Sequence, residues 1–245
     1  MKKKIFAANW KLNKTPSEAN NFVFDLKSTL SNEFYFQNEV FIFPQNFSLD
    51  AVAKSAINSK IQFGPQQIHS EIKGAFTGEN SLEIAQKMGS KICLIGHSER
   101  RQFFSETDKA INFKAKLCQS MHITPVVCIG ESLAQQENNE TEKICLDQLK
   151  IAVNDLDQQQ RIVFAYEPVW AIGTGKVATA EQVKSIHHFL FTHLTDVGFK
   201  DFQILYGGSV KKENAKELLS TPHVDGFLIG AASLDVKSFS EICLS

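Results

Sequence analysis

The chain has no stretch of about 20 consecutive apolar residues, which is the length that a membrane-spanning helix needs. Its first eight residues resemble the start of a signal peptide, but Asn9 and Lys11 end the apolar stretch far short of the required length. We therefore expect a soluble, cytoplasmic protein that does not associate with membranes.

Neither positive nor negative charge is in marked excess. The sequence contains 26 basic and 27 acidic residues, mixed along its whole length, for a formal net charge of -1. No basic stripe is available to a phosphate polymer, so nucleic-acid binding is not expected. A small anionic substrate is still possible, because it needs only a local positive site.

Cysteine is scarce and has no pattern. The five residues form an odd set without a close pair, which predicts neither a disulfide framework nor a zinc site. We expect free thiols in a reducing compartment. The cysteines are Cys93, Cys118, Cys128, Cys145 and Cys243.

Short apolar runs recur along the chain, and each is followed by a longer amphipathic stretch. Continuous apolar runs are typical of parallel strands that are buried on both faces. The stretches between them have helical spacing, as at 17–30 and 179–194, where Thr179 and Gln182 resemble a capping box. The eight runs start near Ile5, Val40, Ile61, Lys91, Ile123, Arg161, Gln203 and Asp225.

Eight strand-like runs alternating with helical stretches predict a (β/α)8 barrel of eight parallel strands with outer helices. An open doubly wound sheet alternates in the same way, but its usual dinucleotide motif needs glycines after the first strand. Residues 9–13 contain no glycine. No linker or low-complexity segment interrupts the pattern, so we predict one barrel domain over residues 1–245.

Functional residues of such barrels lie where strands end. Alone, Lys11 could be a solvated lysine, His97 a histidine held in a turn, and Glu167 a charge at a loop start. Their convergence on one rim favours a common site. The strand ends carry Asn9 and Lys11 after the first run, 96–100 after the fourth, Glu167 after the sixth, 207–209 after the seventh and 230–233 after the eighth.

Together these residues suit one class of reaction. A carboxylate such as Glu167 can remove a proton from a carbon beside a carbonyl, while His97 polarises that carbonyl and Lys11 stabilises the developing charge. Glycine-rich turns that lead into helices can bind phosphate through backbone N–H groups. The set predicts proton abstraction on a small phosphorylated carbonyl compound.

The segment 168–178 follows Glu167 and has an apolar middle, two glycines and a proline at its start. We predict that it is a lid that closes over the ligand and excludes water. A packed connection is the alternative. Its Gly173-Thr174-Gly175-Lys176 stretch does not match a nucleotide phosphate loop, because Trp170 and Val177 occupy positions where that motif needs Gly and Ser or Thr.

Taken together, the motifs resemble those of the triosephosphate isomerase family. They occur in the same order as in the family, between residues 5 and 234. The segments that carry the resemblance are NWK at 9–11, GAFTGE at 74–79, GHSERR at 96–101, VCIGE at 127–131, AYEPVWAIGTG at 165–175 and LYGGSV at 205–210.

The resemblance implies a TIM barrel that interconverts dihydroxyacetone phosphate and D-glyceraldehyde 3-phosphate, an intramolecular aldose-ketose isomerisation of glycolysis and gluconeogenesis. Glu167 would be the base, His97 a neutral electrophile and Lys11 the stabiliser of the enediolate. This family is itself the standard illustration of a carboxylate base beside a neutral histidine and of lid closure, so those roles are carried over. No metal or organic cofactor is implied.

The same resemblance implies the supporting residues. Substrate would contact Asn9 and Lys11, phosphate would bind at Gly173, Ser209, Gly230 and Ala231, and Ser98 and Glu99 would support the charged groups. Ala231 and Gln67 depart from the family pattern, which more often has glycine and asparagine there.

A homodimer is also implied, in which the loop 66–79 of one chain brings Thr77 close to Asn9 and Lys11 of the partner.

Two other functions are alternatives for such a barrel. A Schiff-base aldolase or another phosphate-binding barrel would need a lysine within a strand, whereas Lys4 and Lys91 fall at strand beginnings, the wrong end for catalysis. A barrel kept only for binding would be expected to lack one of Glu167, His97 and Lys11, and all three are present.

Overall fold

The computed structural model describes residues 2–172 and 177–245, and within them eight parallel strands form one sheet. The strands are β1 (Lys4–Asn9), β2 (Asn38–Phe43), β3 (Ile61–Phe63), β4 (Ile92–Ile95), β5 (Thr124–Ile129), β6 (Ile162–Tyr166), β7 (Phe202–Tyr206) and β8 (Gly226–Ile229). Their order in the sheet is β3-β2-β1-β8-β7-β6-β5-β4. Each strand starts within two residues of the position predicted from the apolar runs.

The two terminal strands of that order, β3 and β4, meet and close the sheet into a barrel. The N–H of Lys91 donates to the carbonyl of Phe63 at 3.4 Å, and the N–H of Leu94 donates to the carbonyl of Pro65 at 3.0 Å. Gly64 lies at this junction, where a Cβ would come within 1.7 Å of the Ile92 carbonyl oxygen. Only glycine permits so close an approach of the two strands.

Helices surround the barrel and fill the sequence between strands. Within the described residues they are α1 (Pro16–Thr29), α2 (Phe34–Gln37), α3 (Leu49–Ser55), α4 (Leu82–Lys87), α5 (Ser98–Phe104), α6 (Asp108–Ser120), α7 (Leu133–Glu137), α8 (Thr141–Ala152), α9 (Ala180–Val197), α10 (Lys212–Ser220) and α11 (Val236–Cys243). The predicted capping box at the start of α9 is present, with Thr179 and Gln182 each accepting from the other's backbone N–H. The predicted (β/α)8 barrel is confirmed.

Two apolar layers result from the alternation of side chains along the strands. One set points into the barrel and forms its interior, as Val163 and Ala165 do on β6. The other set, which includes Ile162 and Phe164 of the same strand, packs in the layer that also contains the helix side chains. Every second side chain of β6 and of β1 points inward, and residues 167 and 9 continue these inward-pointing sets.

A polar cluster occupies the amino end of the barrel. The guanidinium of Arg161 donates to both carboxylate oxygens of Glu39, at 3.0 and 3.1 Å, and its Nε donates to the amide oxygen of Gln203 at 3.1 Å. Gln62 donates to Glu39 at 3.1 Å, and Gln203 donates to the carbonyl of Lys3 at 2.6 Å. Each charge here has a partner inside the cluster.

No helix in the described part of the chain is long and apolar enough to cross a membrane. That the whole chain is a single domain stays a prediction.

Candidate active site

A cavity of about 280 Å³ opens at the carboxyl end of the barrel. That volume lies below the ~300–1,000 Å³ usual for the pockets of drug-sized ligands, so it suits a small metabolite. Seven of the residues predicted to be catalytic or to bind substrate line it, namely Asn9, Lys11, His97, Glu167, Ser209, Gly230 and Ala231.

Glu167 is only 2 % exposed and is held by two donors. One carboxylate oxygen lies 2.9 Å from Nε2 of His97, and the other accepts a hydrogen bond from the N–H of Ser98 at 2.9 Å. Its backbone is fixed by Gly130, at which a Cβ would lie 1.8 Å from the Glu167 carbonyl oxygen. Ser98 thus contacts the carboxylate through its backbone N–H, and its supporting role stays a prediction.

His97 has a distinct neighbour at each ring nitrogen. Nε2 faces Glu167, whereas Nδ1 accepts a hydrogen bond from the N–H of Glu99 at 3.2 Å. This second contact arises because His97 is the residue that caps the first turn of α5. A nitrogen that accepts a hydrogen bond carries no proton, so the contact favours neutral imidazole with its proton on Nε2.

Burial and charge act in opposite directions on this pair. Burial favours neutral forms, but the facing carboxylate of Glu167 raises the pKa of His97 above its ordinary value. Burial would likewise raise the pKa of Glu167, but His97, the N–H of Ser98 and Lys11 lower it below its ordinary value. Glu167 is therefore a carboxylate at neutral pH.

Lys11 approaches the cavity from the segment after β1. Its ammonium pairs with Glu99 at 2.5 Å, and its backbone has φ 51°, in the left-handed region. The side-chain oxygen of Asn9 accepts from the N–H of Lys11 at 3.2 Å and supports this conformation. A non-glycine residue held at positive φ beside a cavity is typical of functional sites.

The turn after β8 faces the ammonium of Lys11. A Cβ on Gly230 would lie 4.0 Å from Nζ of Lys11, and a short 3-10 helix, Ala231–Leu234, begins directly after Gly230. Ala231 is exposed and is not among the residues with positive φ, so its methyl group is accommodated without backbone strain. The departure from the family's glycine thus leaves the turn intact.

Both described ends of the predicted lid contact the barrel. Its first part forms a 3-10 helix, Val169–Ala171, and the carbonyl of Ala171 accepts a hydrogen bond from the Ser209 hydroxyl at 2.8 Å. At the other end Ala178 is 3 % exposed, whereas Val177 is 47 % exposed. Gly173, predicted to bind phosphate, lies outside the described residues.

The sequence did not reveal the contacts that Glu131 makes beneath the predicted lid. One of its carboxylate oxygens accepts from the indole N–H of Trp170 at 2.8 Å and from the Tyr166 hydroxyl at 3.1 Å. Burial raises the pKa of Glu131, although these donors oppose the shift. Its place directly after β5, at the same rim as the other site residues, was the signal that could have identified it.

Thr77 does not line the cavity of its own chain. The whole stretch 71–79 is exposed, and Phe76 within it stacks on His69 with ring centroids 3.9 Å apart. Gln66, at the base of this loop, donates to the carbonyl of Lys11 at 3.0 Å. The loop is therefore anchored beside the cavity while its tip projects into solvent.

These features define a (β/α)8 barrel with an acid–base site at its carboxyl rim. Over residues 4–245 the sequence matches the family model described as triosephosphate isomerase. The chain therefore belongs to the triosephosphate isomerase family.

Curated relatives match this chain over nearly their whole length, in agreement with this membership. A triosephosphate isomerase of Bdellovibrio bacteriovorus is 47% identical over 240 residues, covering 98% of each chain. One of Endomicrobium trichonymphae is 41% identical over 247 residues, covering 99% of this chain and 98% of the relative. One of Lactobacillus gasseri is 41% identical over 245 residues, covering 98% and 97%.

Proposed function

We propose that this chain interconverts dihydroxyacetone phosphate and D-glyceraldehyde 3-phosphate through an enediolate, without a metal or organic cofactor. The observation that carries the proposal is the buried carboxylate of Glu167, held against Nε2 of His97 at the edge of a small cavity. Family membership supplies the reaction, and this geometry supports the roles of the residues.

Glu167 is the base. Its pKa is held below the ordinary value, so the carboxylate is available at neutral pH to take a proton from the carbon beside the carbonyl. The carboxylate must leave His97 and Ser98 to reach substrate, and both contacts are single hydrogen bonds that substrate oxygens can replace. Burial keeps competing water away from the base.

His97 donates the hydrogen bond that polarises the carbonyl. In the free site Glu167 raises the pKa of His97, whereas the N–H of Glu99 at Nδ1 opposes a second proton on the ring. When substrate separates Glu167 from His97, the first effect falls and the second remains. His97 then acts as a neutral donor through Nε2.

Lys11 and the turn at Gly230 and Ala231 bind the anionic end of the substrate. The ammonium stabilises both the phosphate and the negative charge that grows on the enediolate. The backbone N–H groups at the start of the 3-10 helix Ala231–Leu234, together with Ser209, supply further donors to phosphate. Asn9 lies beside Lys11 and contributes its side-chain amide.

The test is a coupled assay of glyceraldehyde 3-phosphate isomerisation with the wild type, Glu167→Asp and the control Glu213→Asp. Shortening the side chain moves the base by about 1 Å, and such a misplacement can cost ~100-fold in kcat while KM changes little. The control makes the same change at an exposed position of α10 and should keep full activity. Unchanged turnover in Glu167→Asp would refute the assignment of the base.

We infer that the active form is a homodimer joined through the loop 66–79, with Thr77 beside Asn9 and Lys11 of the partner. Support comes from exposed apolar side chains in the segments that follow β1 and β2, with Leu12 92% and Phe47 87% exposed. Sedimentation and activity measured over a dilution series provide the test. Activity should fall as the dimer dissociates, and a fully active monomer would rule out this arrangement.

We also propose a cytoplasmic location, from the state of the cysteines. All five cysteines are buried free thiols, which persist in a reducing compartment. Partial oxidation of these thiols in protein isolated from cells would contradict it.

A further inference from the structure

Two histidines that are far apart in sequence meet on the helical surface of the barrel. His188 lies on α9 and His223 lies in the turn that precedes β8, and their facing nitrogens, Nδ1 and Nε2, are 3.4 Å apart. The ring centroids are 5.4 Å apart. Neither residue takes part in the proposed reaction, because the turn before β8 is at the opposite end of that strand from Gly230.

The separation lies at the long end of the range for a hydrogen bond between the two rings. N–H donors normally lie about 2.9–3.0 Å from their acceptors. In contrast, two nitrogens bound at about 2.0–2.1 Å to a tetrahedral zinc ion are roughly 3.3–3.4 Å apart. The pair therefore has the spacing of two ligands of one tetrahedral ion.

One contact holds the ring of His223, and a second holds its backbone. It stacks on Phe191 with centroids 4.0 Å apart and an interplanar angle of 25°. Its carbonyl lies 3.0 Å from Nδ1 of the buried His187, which must donate because a carbonyl only accepts. The backbone of His223 has φ 64°, a left-handed conformation that these contacts stabilise. Such support of a ligand by neighbouring groups is typical of metal sites.

His188 supplies the exposed half of the pair. It is solvent-exposed on α9, next to the buried His187, so an ion can approach from water without passing through the core. Asp225 is the nearby acidic residue, and one of its oxygens accepts from the N–H of Ile204 at 3.0 Å. No cluster of three or more metal-ligating side chains occurs among the described residues.

We propose that His188 and His223 form a two-histidine surface site for a divalent cation that prefers imidazole, namely Zn²⁺, with water in its remaining positions. The ion would link α9 to the turn between α10 and β8. Because the amino-terminal ends of barrel strands govern stability rather than catalysis, occupation should stabilise the fold and leave turnover unchanged.

The first test is calorimetric titration of Zn²⁺ into untagged protein that has been stripped with chelator. We expect one Zn²⁺ per chain, with binding at least ~10-fold weaker in both His188→Ala and His223→Asn. Asparagine is chosen at 223 because it tolerates positive φ. His193→Gln, on the same helix but with Nδ1 bonded to the carbonyl of Phe189, is the matched control and should bind as the wild type does.

Thermal unfolding and turnover complete the test. At Zn²⁺ concentrations 100-fold above the dissociation constant, the midpoint should rise by roughly 5–11 °C in the wild type but not in His188→Ala. Isomerase activity should be the same with and without Zn²⁺. Absence of saturable binding, or binding that survives His188→Ala, would overturn the proposal. Inhibition that persists in that variant would place the ion at the carboxyl rim instead.

Discussion

At each end of the barrel a glutamate is paired with a nitrogen-bearing side chain, but the two pairs differ in their surroundings. At the amino end, Arg161 donates to both oxygens of Glu39 and also to Gln203. At the carboxyl rim, Glu167 makes one contact with His97 and one with Ser98, beside an open cavity. One pair is closed on itself and the other faces space that a ligand can fill.

The difference lies in the charge that each nitrogen-bearing side chain can carry. A guanidinium is permanently charged and forms a rigid fork, so its pair with Glu39 persists as a structural link. An imidazole can lose its charge near neutral pH, so its contact with Glu167 can be exchanged for substrate. We therefore assign stability to the first pair and proton transfer to the second, and the same substitution made at each end separates these roles.

The largest effect is expected for Glu167→Gln, which keeps the shape of the side chain but removes the base. General base catalysis contributes ~10²–10⁴-fold, so kcat should fall by about that factor. At pH values above the folded pKa of His97, the midpoint of thermal unfolding should not fall, because His97 is then neutral and a buried charge has been removed. Steady-state kinetics and a thermal melt of the same preparation measure both. A large loss of stability at that pH would mean that the Glu167–His97 pair (the rim pair) is structural. The two ends of the barrel would then not differ in role.

A smaller catalytic loss is expected for His97→Gln. Glutamine can still donate a hydrogen bond, but not from the position set by the capping geometry of α5. Removal of one donor to a developing oxyanion costs ~10²-fold or somewhat more in kcat. A poorly held enediolate should also lose phosphate, so methylglyoxal should be detectable among the products. Full turnover without this by-product would remove the electrophilic role of His97.

At the amino end, Glu39→Gln is the matched substitution. Arg161 would lose its charged partner while remaining largely buried, which should cost about 1–3 kcal/mol in the free energy of unfolding. Denaturant unfolding measures this change, and kcat should stay within the error of the wild type. A fall in kcat comparable to that of Glu167→Gln would show that the two ends do not have separate roles.

The smallest effect is a pH dependence of stability that belongs to the rim pair alone. Because Glu167 raises the pKa of His97, that contribution is complete below the ordinary value of 6.5 and is lost as pH rises through the folded pKa. Because the pKa of Glu167 is lowered, its contribution is complete above the ordinary value of 4.5 and is lost as pH falls through the folded pKa.

The two contributions are therefore both complete between about pH 4.5 and 6.5. Unfolding curves of the wild type and Glu167→Gln should differ most within this window, and the difference should shrink as pH rises through the folded pKa of His97. In parallel, NMR titration of the His97 ring should give a lower pKa in Glu167→Gln than in the wild type. An unshifted pKa would contradict the assigned cause.

Most of the barrel could be predicted from the sequence, because its signals are local. The apolar runs placed all eight strands and put Asn9 and Glu167 at strand ends, where the structure shows that both continue the inward-pointing sets of β1 and β6. The site residues were found because parallel strands end at a common edge. Their chemical roles remain proposals, and Gly173 and Thr77 remain predictions.

Such local signals could not predict the contacts between segments that are distant in sequence. Ser98 and Glu167 are 69 positions apart, and their contact depends on the tilt and closure of the barrel, which rest on the close approach at Gly64. The contact of Glu131 with Trp170 and that of His188 with His223 arise in the same way. The pattern of apolar residues decided the strands, the fold and the rim on which the chemistry lies. Tertiary structure alone decided which donor faces which acceptor, because that depends on the three-dimensional path of the chain between them.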